Sequence, residues 1–222
     1  MIPEVKLYKK WKKYLKIIHN EISFLKVDHH IFWQVQEIIK ANPKIQKESY
    51  FYGWMGRLFA RDMLIRIRRQ IDLRTNDISL ARLLFEIAER PDVLNWKKFE
   101  SLYRGSTVKF NAWSDFKKFY GWKKYIRKKH INPAMVRSDL RKVKHEINKL
   151  KKYTDKKVAH WSNIPTRKIL TFESLESPLK TMEKLMIKYQ LIFNANNYSS
   201  LMPTFQYDWE AIFREPWIES SQ

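Results

Sequence analysis

Between Val5 and Lys26 apolar residues fall at Leu7, Trp11, Tyr14, Leu15, Ile18, Ile22 and Leu25, three or four positions apart. That spacing puts them on one face of a helix, with Lys9, Lys10, Lys12, Lys13 and Lys16 spread over the rest of its circumference. The same period returns along the chain. Asp28 is a candidate N-cap for a second helix through Ile31, Phe32, Val35, Ile38 and Ile39, which Ala41-Asn42-Pro43 would end because proline disfavours helix in the residue before it. A third, from about Glu48 to about Ile71, is apolar around much of its circumference (Phe51, Trp54, Met55, Leu58, Phe59, Met63, Ile65, Ile67), which predicts a central place in a bundle. Asn76-Asp77 restarts a short helix through Leu80, Leu83, Leu84 and Ile87, halted at Arg90-Pro91. Ser138 or Asp139 caps another through Leu140, Val143, Ile147 and Leu150 toward Val158, and a last one runs from about Phe172 to Phe193. With only four glycines and no stretch of strand period or internal repeat, the reading is an all-α bundle of four to five main helices.

Its 222 residues suit a single domain, 1–222. Within it, 97–135 loses the regular period and is interrupted by Gly105 and Gly121, so it reads as an inserted connection of short helices. The last stretch, 196–222, is acidic and aromatic, with Trp209, Ile212, Phe213 and Trp217, and is expected to pack back onto the bundle.

Lys and Arg number 44 against 23 Asp and Glu, a formal charge of +21 that exceeds what solubility asks of a small domain. Between Lys97 and Lys157 stand 20 basic residues against five acids, so a surplus of 15 sits in one stretch. The expected partner is a polyanion, RNA first of all. The absence of Cys excludes disulfides, thiolate metal sites and Cys nucleophiles. Met1 to Lys13 has no signal-peptide core and no apolar run is long enough to span a bilayer, so a cytoplasmic location and no membrane partner are expected.

No Gly-rich phosphate loop, HExxH helix or GxSxG elbow is present, which removes the commoner motif-bearing enzymes. Asp28-His29-His30 lacks the strands and further aspartates a phosphoesterase triplet needs, and His145, between Lys144 and Glu146, reads as a solvated helix residue. His160 differs, because it follows Thr154-Asp155-Lys156-Lys157-Val158-Ala159 at the end of a basic helix with Lys156 one turn before it. A histidine among cations can take the proton of a ribose 2′-hydroxyl and protonate the departing 5′-oxygen while the positive charge stabilises the phosphorane-like transition state, with no metal or cofactor.

The segment Asp155-Lys156-Lys157-Val158-Ala159-His160 resembles the RNKxxAH signature of the HEPN superfamily, and the surrounding chain resembles its abortive-infection U-type branch. Arg66 to Asp72 followed by Ser79-Leu80-Ala81-Arg82-Leu83-Leu84, and the ending Trp209 to Trp217, are similar to elements of that branch. The resemblance implies a HEPN-like bundle, a homodimer with two motifs facing one cleft, and in active members a metal-independent endoribonuclease of phage-defence or toxin–antitoxin character. It also implies an antitoxin or nucleotidyltransferase as partner. His160 maps onto the catalytic histidine, with Asp155 and Lys156 beside it. Thr154 stands where the family has arginine, and it cannot supply a planar bidentate cation. Lys157, Lys152, Lys151, Arg141, Arg66 and Arg69 are the expected RNA contacts. The alternative from another class is a non-catalytic basic module binding nucleic acid or an acidic partner protein.

Overall fold

In a computed structural model, residues 3–119, 129–153 and 171–217 are described, those of 151–153 by their backbone only. Among the described residues there are seven α-helices: α1 Glu4–Ala41, α2 Tyr50–Arg69, α3 Leu80–Glu89, α4 Trp96–Ser101, α5 Ala112–Lys117, α6 Pro133–Tyr153 and α7 Glu176–Asn194. Among the described residues there is no strand, and the chain is an all-α bundle.

The first two expected helices are one. No glycine or proline interrupts Glu4 to Ala41, and α1 runs for 38 residues, about 57 Å at 1.5 Å per residue. Asp28 is therefore no cap. Its carboxylate lies in mid-helix and accepts from Arg66 Nη1 at 2.5 Å, an ion pair that answers its poor helix propensity. Asn42 and Pro43 end the helix where expected.

Trp11, Leu15, Ile18, Ile22 and Leu25 of α1 are buried against α3 and α7. α3 buries Leu80, Leu83, Leu84 and Ile87, and it packs most extensively on α6, which buries Val136, Val143, Ile147 and Leu150. Ser79 caps α3, its hydroxyl accepting from the Arg82 backbone N–H at 3.0 Å, while Asp77 pairs with Arg74. α6 begins six residues before the expected cap: Asn132 Oδ1 accepts from Ala134 N–H at 2.9 Å, and Pro133 opens the helix, where a missing N–H costs nothing. Asp139 is instead buried inside α6.

The central helix is α6, and α2 is peripheral. α2 buries Met63, Leu64 and Ile67, whereas Phe51, Trp54, Leu58 and Ile65 are exposed. Past Phe32 no residue of α1 is buried, so the end of α1 and the start of α2 extend beyond the core as a helical pair. Phe32 and Phe59 stack at 3.8 Å between centroids, and Phe172 lies 5.0 and 5.8 Å from them.

The short helices α4 and α5 pack with Phe99, Tyr103, Phe116 and Phe119 buried. In the terminal stretch Leu201 is buried, and Phe205 stacks on His30 with Trp209 at its edge. No helix among the described residues is long and apolar enough to cross a membrane.

Candidate nucleic-acid interface

The buried residues of α6 recur three or four apart, so its other face turns outward. That face carries Ser138, Arg141, Lys142, His145, Asn148 and Lys149. Alongside it, Thr181, Lys184 and Leu185 of α7 close a groove of about 490 Å³ with Ser138, Arg141, Lys142, His145 and Glu146. Among the described residues neither Arg141 nor Lys184 lies within ion-pair distance of a carboxylate, so both cations are available to an anion. Lys142 is 3.7 Å from Asp139.

Two carboxylates set the shape of the groove. Asp139 is 3% exposed and accepts from the ammonium of Lys188 and from the buried Tyr189 hydroxyl at 3.1 Å, pinning α6 to α7. Burial, then the Asp139 charge, raises the Tyr189 phenol well above its ordinary value, so it remains a donor. Glu146 accepts from Lys149 at 2.7 Å and from Ser177 at 2.6 Å, and these two bonds hold it below the usual glutamate range. His145 Nε2 is 4.0 Å from Glu146, and the ring is 72% exposed. A guanidinium, two ammonium groups, an imidazole and two hydroxyls thus line one solvent-open groove, the set of donors that phosphate oxygens accept from.

Of the expected RNA contacts, Arg141 lines this groove. Arg66 does not: it is held by Glu21 (3.0 Å), Asp28 (2.5 Å) and Asp62 (2.9 Å) at the α1–α2 contact, and Arg69 pairs with Glu21 at 2.7 Å. The backbones of Lys151 and Lys152 form the last turn of α6. Thr154, Asp155, Lys156, Lys157 and His160 lie outside the described residues. The chain is described again at Thr171, and Phe172 sits against Phe32 and Phe59.

No family model, curated protein or solved structure matches the chain.

The sequence offered Ser138 only as a helix cap and His145 only as a solvated helix residue, and it did not point to Lys184. The spacing of 138, 141, 142 and 145 was a legible signal for one helix face, but the opposing wall, 36 to 47 residues later on α7, was not. Among the described residues no cluster of His, Asp and Glu is arranged to hold a metal ion.

Proposed function

We propose that this chain is an RNA-binding protein of HEPN type, acting in phage defence or as half of a toxin–antitoxin pair, and that it cleaves RNA without metal through His160. One observation supports the reading above the others: the outer face of α6 is basic, two cations of its groove, Arg141 and Lys184, have no carboxylate within ion-pair distance among the described residues, and in sequence the helix runs on into the segment that carries the motif. Arg141, Lys142 and Lys184 are proposed to hold the phosphates of an RNA strand. His160 then takes the 2′-hydroxyl proton and returns one to the 5′-oxygen. The second reading, a binding module without chemistry, is favoured by one residue, Thr154 in the place of the family's arginine. In either case two copies are proposed to pair through the exposed stripe of Phe51, Trp54 and Leu58 on α2.

The test is His160→Ala beside wild type on a labelled single-stranded RNA in the presence of chelator. Cleavage by the wild type and a loss of roughly a hundredfold or more in the variant, with RNA affinity unchanged, are expected for lost general acid–base catalysis. Wild type that binds RNA and leaves it intact, with Thr154→Arg equally inert, rejects the nuclease and leaves the binding module. No salt-sensitive RNA binding at all rejects both.

A further inference from the structure

A second basic surface stands away from α6, on the N-terminal half of α1. Lys12, Lys13 and Lys16 are exposed, and among the described residues none has a carboxylate within ion-pair distance, in contrast to Lys10, which is taken by Glu86. Like charges at i,i+3 and i,i+4 repel, so the fold gains nothing from this cluster. The lysines form one wall of a groove of about 520 Å³ whose other wall comes from the end of α7 and the residues after it: Gln190, Asn194, Asn196 and Tyr198, with His19 between.

The polar groups of this groove are organised by one another. α7 ends at Ala195, whose φ of 54° is left-handed, and this turn sends Asn196 to Tyr198 back over α1. Asn194 Nδ2 donates to Gln190 Oε1 at 2.7 Å, which fixes the orientation of that amide. Gln190, 5% exposed, then directs its Nε2 donor at His19 Nδ1, 3.1 Å away. An imidazole that accepts at Nδ1 carries its proton on Nε2 when neutral, and burial lowers the His19 pKa toward that neutral form. His19 is thereby preset as an Nε2–H donor. Tyr198 lies 5.5 Å from His19 between ring centroids and is 38% exposed; its hydroxyl accepts from Asn196 at 3.3 Å.

A row of cations beside a half-exposed aromatic ring and orientated amide and imidazole donors matches the chemistry of a nucleotide in a strand: phosphates on the ammonium groups, a base on the ring face, base or sugar oxygens on the donors. We infer that the α1–α7 groove is a second RNA-binding site, in which Lys12, Lys13 and Lys16 hold the backbone of a single strand and Tyr198 stacks one base. The inference rests on the proposal that the chain binds RNA, and it adds a surface separate from α6.

The experiment measures binding of fluorescein-labelled oligo(U) to the full chain by anisotropy over a salt series, with circular dichroism confirming that each variant is folded. Three proteins are compared with wild type: Lys12→Ala/Lys13→Ala/Lys16→Ala, Arg141→Ala/Lys142→Ala/Lys184→Ala, and Tyr198→Ala with Tyr198→Phe as its control. The α1 triple variant is expected to weaken binding at least tenfold and to reduce the slope of log affinity against log salt by about 2, the value for three phosphate contacts on a single strand. Tyr198→Ala is expected to lose about tenfold while Tyr198→Phe keeps its affinity, the pattern of base stacking. If the α1 triple variant binds with wild-type affinity and slope while the α6 variant weakens, the second site is wrong and the α6 reading stands. If wild type does not bind oligo(U), the RNA reading itself fails. Competition by uridine monophosphate as effective as that by unlabelled oligo(U) would overturn the strand assignment in favour of a free nucleotide.

Discussion

Replacing Asp139 by alanine removes the group that fixes α6 against α7 beneath the interface groove. The cost follows from what it abandons. The Tyr189 hydroxyl is fully buried and loses its acceptor, worth about 1–3 kcal/mol for an unsatisfied buried donor. Lys188, 24% exposed, can turn to water, so its lost ion pair adds only about 0.5–1 kcal/mol. A total of about 3 kcal/mol is expected, which at about 2–4 °C per kcal/mol for a chain of this size lowers Tm by roughly 6–12 °C. Asp139→Asn keeps an acceptor for the phenol and should cost only about 1 kcal/mol. In the double variant Asp139→Ala/Tyr189→Phe the orphaned donor is gone, and about half of the loss should return, because removing both partners of a hydrogen bond costs far less than removing one. Urea unfolding followed by far-UV circular dichroism measures all four proteins. Below its midpoint, Asp139→Ala should bind RNA at least as tightly as wild type, because Lys142 no longer shares its charge with a carboxylate 3.7 Å away. An Asp139→Ala protein within about 0.5 kcal/mol of wild type, or a double variant no more stable than the single, would refute the argument.

Glu86 of α3 joins α1 by accepting from Lys10 (2.7 Å) and Trp11 Nε1 (2.8 Å), and it also accepts from Arg82 (2.8 Å) on its own helix; burial pushes its carboxyl up, but these bonds and the neighbouring cations outweigh burial and hold it below the ordinary value. A depressed folded-state pKa means that the stability is fully present above the unfolded value of about 4.3 and is lost as pH falls through the folded one, so the advantage of wild type over Glu86→Gln in urea midpoint should be constant near neutrality and shrink in acid. The exposed stripe on α2 predicts a dimer at tens of micromolar that Trp54→Glu converts to a folded monomer; a monomeric wild type by sedimentation velocity rejects that interface.

The helical period was enough to specify the class of fold, since a stripe of Trp11, Leu15, Ile18, Ile22 and Leu25 must be buried whatever covers it, and only other helices were on offer. The same local pattern named α6 as a basic helix, and Arg141 was among the expected RNA contacts. It failed wherever a residue's role is set by a partner far along the chain. Asp28 has the chemistry of an N-cap and of an ion-pair acceptor alike, and Arg66, 38 positions away, decided for the second. Asp139 offered itself as a cap for α6, yet Lys188 and Tyr189 on α7 draw it into the core, while Asn132 takes the cap. The apolar circumference of α2 suggested a central helix, but apolarity does not say which neighbour is close enough to cover it, and Phe51, Trp54 and Leu58 stayed outside. His145 shares a groove with Lys184, and Lys16 shares one with Tyr198, although they stand far apart in the sequence. Periodicity is a property of neighbours in sequence, and it fixes which face of a helix is buried; what that face or its opposite meets depends on how helices dock, and docking brings together residues that no local pattern relates.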